Sequence, residues 1–98
     1  MKVETIDSKS QVFAVYDSKA GFYKTPFIMR SKGEALRGFT DVVNDEKTEI
    51  GRHPGDFTLF HLGSFDDENG KYLNNETPVS LGVAVEFVNK ELEVNEKT

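Results

Sequence analysis

His53 and His61 are the residues that most invite a chemical reading, because imidazole is both a common metal ligand and a base near neutral pH. They stand eight positions apart, one in a Gly- and Pro-containing stretch and one in an apolar run. No further ligand falls at a metal-binding spacing, so both read as surface or half-buried structural histidines. Asp66-Asp67-Glu68-Asn69-Gly70 carries the residue types of a calcium loop but lacks the spaced ligands and closing Glu of one. It reads as a solvated turn. The chain has no Cys, which excludes thiolate nucleophiles, thiolate metal sites and disulfides. No Ser, His and acid arrangement stands out, and Gly33 and Gly38 are too sparse for a phosphate-binding loop. We therefore expect no catalytic residues, no metal and no cofactor.

One stretch combines charge with aromatic rings. Residues 18–37 hold Lys19, Lys24, Arg30, Lys32 and Arg37 against Glu34 alone, a local charge of +4 in a chain of net charge −5. Cations neutralise phosphates while rings stack on bases, the pairing that single-strand binders use. Lys19, Tyr23, Lys24, Arg30, Lys32 and Arg37 are the candidate nucleic-acid-binding residues. Phe22 and Phe27, in the same stretch, read as core. The acidic remainder limits promiscuous binding.

These side chains need elements to hold them. Gln11–Asp17 is rich in β-branched and aromatic residues and reads as a strand, after a polar tail over 1–9. Ser18-Lys19-Ala20-Gly21 is turn material, and a second strand runs from about Phe22 to Met29. Pro26 cannot donate to a ladder, so that strand is placed at an edge or given a bulge. Ser31-Lys32-Gly33-Glu34 is a capping box, with Glu34 expected to reach back to Ser31. Ala35, Leu36, Phe39, Val42 and Val43 follow at helical spacing, and Asn44-Asp45 ends the helix. Residues 46–56 read as a loop. Phe57–Leu62 makes a third strand, Asn69-Gly70 signals a hairpin, and Lys71–Asn74 makes a short fourth strand. Thr77 and Pro78 then suit the cap and first turn of a second helix, with Leu81, Ala84, Val85, Val88 and Leu92 along one face.

A shift of 49 residues superposes Asp17 on Asp66, Gly21 on Gly70 and Tyr23 on Tyr72. It also superposes Ser31 on Ser80, Gly33 on Gly82 and Ala35 on Ala84. The expected fold is α+β: a pseudo-twofold ββαββα chain, with units over 10–45 and 57–93 of a single domain. Four antiparallel strands, in the permuted ferredoxin-like order first, second, fourth, third, carry two helices on one face. Alternation sends Phe13 and Val15 one way and Val12, Ala14 and Tyr16 the other, while Phe60 and Leu62 oppose Phe57, Leu59 and His61. Both faces are thus apolar but only one is covered, which predicts a homodimer.

Several blocks of the chain resemble the small nonstructural protein of gokushoviruses, tailless single-stranded-DNA phages of the Microviridae. They are Tyr16–Ala20, Pro26–Arg37, His53–Phe60 and Thr77–Ala84, within about residues 11–90. The resemblance implies a phage early protein, absent from the mature capsid, that assists viral single-stranded DNA synthesis or packaging. Single-stranded DNA or the phage replication initiator protein is its implied partner. Absence of Cys, a polar N-terminus and no apolar run long enough to span a bilayer agree with a place in the cytoplasm of the infected bacterial host. The leading expectation is a non-catalytic binding protein, and the alternative is a protein-interaction scaffold that does not contact nucleic acid.

Overall fold

In the computed structural model, residues 10–89 are described. The elements are β1 (Ser10–Asp17), β2 (Phe22–Tyr23), β3 (Phe27–Met29), α1 (Lys32–Val43), α2 (Glu49–Arg52), a 3-10 turn (Pro54–Asp56), β4 (Phe57–Asp66), β5 (Lys71–Val83) and a second 3-10 turn (Ala84–Phe87). The fold is α+β, with an antiparallel sheet of order β2-β1-β4-β5 and β3 also paired to β1.

Strand alternation decides the two faces. Phe13 and Val15 lie on the inner face with Phe57 and Leu59 of β4, against Ala35, Phe39 and Val43 of α1. Phe13, Phe57 and Leu59 are fully buried, each contributing about 1.5–3 kcal/mol. The first helix stands where expected because its stripe matches this face and its start is capped. Glu34 N donates to Ser31 Oγ at 3.1 Å. The Glu34 carboxylate accepts from Arg30 N, one residue before the expected partner.

The segment from Phe22 to Met29 is broken rather than continuous. Tyr16 opposes Tyr23 and Phe13 opposes Phe27, so three residues, Lys24 to Pro26, face two of β1. Pro26 occupies this bulge at a sheet edge, where its missing N–H breaks no ladder bond.

Three expectations are corrected. Among the described residues the second helix is absent: residues 71–83 form one long strand, and Ala84–Phe87 coil as a 3-10 turn. Leu92 lies outside the described residues, as does the tail over 1–9. Thr77-Pro78 caps nothing. Gly63 pairs with Asn74 and His61 with Val79, so Asn75 to Pro78 bulge out opposite Leu62 and Pro78 owes the ladder no donor. The strand order also differs from the permuted ferredoxin-like one. The third predicted strand pairs with the first, because Pro26 keeps the second at the edge where an interior position would demand its N–H. Finally, the stretch 46–56 is not all loop. Thr48 caps α2 through Gly51 N, and Ile50 packs against the core.

The repeat survives only in the hairpins. Asp17 Oδ1 accepts from Lys19 N and Ala20 N, and Asp66 Oδ1 accepts from Glu68 N and Asn69 N. Gly21 and Gly70 close the two turns at φ of 85° and 70°, each donating to the aspartate carbonyl. The following Tyr23 and Tyr72 then pack on Tyr16 and Phe65, with centroids 4.8 and 5.0 Å apart. Equal local chemistry makes equal turns, and the helices do not follow.

Candidate functional site

The six candidates run from the first hairpin, along β2 and β3, which among the described residues pair only with β1, into the first turns of α1. Lys19 is exposed in the β1–β2 turn, Tyr23 ends β2, and Lys24 opens the bulge. Arg30 follows β3, Lys32 begins α1, and Arg37 lies one turn further on, all exposed. Tyr23 opposes Tyr16 and Met29 opposes Gln11, so the edge extends over roughly 17 Å of strand. The cations fall into two groups along it. Lys19 sits beside a hollow shared with Asp17, Glu49, His53 and Asp56, and Lys24 Nζ meets Glu49 at 3.3 Å. Arg30 and Arg37 line a shallow depression with Ser31, Gly33 and Glu34. The second group stands at the positive end of the α1 dipole, where a phosphate oxygen is favoured. The first carries Asp17, Glu49 and Asp56 among its cations, against Glu34 in the second, and is the weaker attractor.

The face away from α1 is aromatic. Tyr16, Tyr23 and Phe60 form a ring cluster with centroids 4.8, 5.4 and 6.4 Å apart. Tyr23 is 41% exposed and, on the same face, Ile28 is 46% and Tyr72 62% exposed. The register places Val12, Ala14, Tyr16, Thr58 and Phe60 on this face, without a charge among them. Such a surface can stack on flat rings or meet another apolar face. Tyr23 belongs to both surfaces, because its ring lies here while its neighbour Lys24 turns to the helix side and rests 5.5 Å from the Phe57 ring centroid.

His61 has a role that spacing did not reveal. It is buried on the inner face, its ring 5.2 Å from that of Phe13. Asn75 Nδ2 reaches both His61 Nδ1 at 3.1 Å and the His61 carbonyl at 3.0 Å. A carbonyl only accepts, so this amide nitrogen is the donor and Nδ1 the acceptor. The ring proton is then on Nε2, donated to Gln11 Oε1 at 2.8 Å. Burial, and after it the charge of Lys32, holds the ring below its usual pKa, partly opposed by the backbone at Gly63. Neutral His61 thus ties the β5 bulge to β4 and β1. The signal in the sequence was the inner phase of the β4 alternation, but Asn75 could not be joined to it while that segment read as a helix approach.

Among the described residues, no group of three or more His, Cys, Asp or Glu is arranged to hold a metal ion. No helix of the described residues is long and apolar enough to cross a membrane.

Comparison with known proteins gives two matches. The profile of the family described as "Phage ORF5 protein" matches residues 10–87. The chain is 35% identical over 75 residues to "Protein ORF5" of Chlamydia phage 1, covering 72% of this chain and 74% of that protein. No solved structure matches.

Proposed function

We propose a function from one premise: the chain belongs to the Phage ORF5 protein family, and is a small protein of the gokushovirus kind within the Microviridae. On this reading it is a non-catalytic early protein that acts in the cytoplasm of the infected host. It assists viral single-stranded DNA synthesis or packaging by holding single-stranded DNA along the β2–β3 edge, alone or together with the replication initiator. The observation that supports this is the run of exposed groups from the β1–β2 turn through the edge strands into the first turns of α1, Lys19, Tyr23, Arg30, Lys32 and Arg37, with part of the Tyr23 ring exposed for stacking. A strand crossing that edge meets a ring on one side and cations on the other. Lys24 N still bonds the Val15 carbonyl at 2.8 Å, but the register on β1 is interrupted between Tyr23 and Phe27, so no long ladder recruits β-strands and side chains dominate the edge's chemistry.

Anisotropy of a labelled thymidine oligonucleotide tests the reading. Affinity falls as salt rises, because phosphate contacts release counterions. Tyr23→Ala weakens it through lost stacking, by about 1–3 kcal/mol. The triple variant Lys24→Glu, Arg30→Glu, Lys32→Glu stays folded and loses binding. Absence of binding even at low salt refutes the DNA reading.

A second reading rests on the uncharged aromatic face. On this reading the exposed Tyr23, Ile28 and Tyr72 pair two copies about a twofold axis, or seat a protein partner. Sedimentation equilibrium at micromolar concentration gives twice the 11.0 kDa chain mass in the first case.

A further inference from the structure

Between α1 and the β2–β3 break lies a cavity of about 380 Å³, within the size range of small-molecule sites. Its walls are Val15, Phe27, Met29, Phe39, Val42 and Ile50, almost wholly carbon. It lies between the bulge at Lys24–Pro26 and a helix that offers a glycine there. Gly38 lines the cavity from the interior of α1. Nothing in the fold asks for glycine at this point. Its φ is not positive, and a Cβ would only approach Met29 Cε at an ordinary 4.0 Å. Glycine is among the least favourable residues of a helix interior, so its presence costs stability without a steric return. What it leaves is open volume against α1.

Polar groups are confined to the mouth, where Lys24 and Thr25 stand. Lys24 Nζ is held by Glu49 at 3.3 Å, with both side chains well exposed. Exposed pairs of this kind contribute little, so a ligand anion can take the place of the Glu49 carboxylate at small cost. Apolar walls with one exchangeable cation at the opening suit a small amphiphile.

We propose that this cavity is a binding pocket for a small apolar acid, an alkyl or aryl chain ending in an anionic group, kept open by Gly38 with Lys24 at its mouth. The chain lies against Phe27, Phe39 and Ile50, and the anion meets Lys24 and the Thr25 hydroxyl. The proposal does not rest on the edge reading above, although Lys24 is common to both, so a phosphate and a ligand anion would compete for it.

The full-length protein is titrated with 8-anilinonaphthalene-1-sulfonate, followed by displacement with dodecanoate and, separately, with uncharged dodecanol. We expect saturable binding of the dye at one site and displacement by dodecanoate at lower concentration than by dodecanol. Gly38→Leu fills the cavity and weakens dye binding by at least about tenfold, while its circular dichroism stays that of the wild type. Val42→Phe, which narrows the rim, reads the same effect should Gly38→Leu fail to fold. Lys24→Gln removes the preference for dodecanoate over dodecanol and leaves dodecanol displacement unchanged. Unsaturable dye binding, or equal dye affinity in a folded Gly38→Leu or Val42→Phe variant, overturns the pocket. Equal displacement by dodecanoate and dodecanol in the wild type overturns the acid. Dye-dependent or concentration-dependent doubling of mass that Gly38→Leu abolishes also overturns it, since the occupant is then a second copy.

Discussion

The same chemical change, Gly→Ala, is expected to act in opposite directions at two positions, and the structure says why. Gly63 lies in β4 between Val12 of β1 and Asn74 of β5, with φ at 156°. A Cβ there would collide with the Leu73 carbonyl oxygen and stand 2.9 Å from Asn74 Cα. Both obstacles are backbone, so no rotamer relieves them. Strained φ costs about 1–3 kcal/mol and overpacking about as much again, so Gly63→Ala should destabilise by about 3 kcal/mol or more. For a small domain with m near ~1 kcal/mol per molar urea, the unfolding midpoint then falls by about 3 M or more. Gly38, in the interior of α1, has no such obstacle. Gly38→Ala should stabilise by about 1 kcal/mol and raise Tm by about 4–8 °C. Urea titration followed by circular dichroism, with thermal scans of all three proteins, measures both. A Gly63→Ala midpoint within about 0.5 M of wild type would refute the close β4–β5 apposition. A destabilised Gly38→Ala would refute the open space against α1.

Two further outcomes are expected. Ser31→Ala removes the acceptor for Glu34 N and should lower stability by about 1 kcal/mol in urea, with Ser31→Asp retaining most of it. His61 gives a pH dependence whose sign follows from its lowered pKa. The unfolded chain takes up its proton near the ordinary 6.5, the folded chain only at lower pH, so this contribution is complete above pH 6.5. It is lost as pH falls from there towards the folded value, because burial and the charge of Lys32 disfavour the imidazolium, whose proton on Nδ1 would also face the Asn75 donor. Urea midpoints between pH 7.5 and 5 should decline, and His61→Leu should flatten the decline. A flat wild-type profile would refute the assigned tautomer and network.

How far the sequence could be read depended on how local each feature is. The two hairpins were legible because Asp-x-x-x-Gly-x-Tyr contains its own explanation: a carboxylate that accepts turn N–H groups, a glycine that turns left-handed, and a ring that returns to its neighbour. The first helix was legible for the same reason, from the Ser31 cap and the Ala35, Phe39, Val43 stripe. Its neighbour in the repeat was misread. Ser80-x-Gly82-x-Ala84 copies Ser31-x-Gly33-x-Ala35, yet Ser80 opposes Phe60 in a ladder and Gly82 takes φ of 137°. Local preference there is divided, with Thr77, Val79 and Val83 favouring extension against a Thr-Pro cap.

The sequence by itself therefore determined the turns, the first helix, the phase of the strands β1 and β4, and a cationic stretch ending in a helix start. Each rests on contacts made within a few residues. The fate of residues 71–83, the strand order, the neutral His61 network and the cavity beside Gly38 were decided only by the tertiary structure. Their causes lie far apart along the chain: β4 needed a partner on its second edge, and pairing of eight of its residues with β5 outweighed a weak helical preference. The six candidate residues show both sides at once. The charge of five of them was plain from composition, but the place of Tyr23 and Lys24 at the edge of the described sheet follows from a proline that cannot enter its middle.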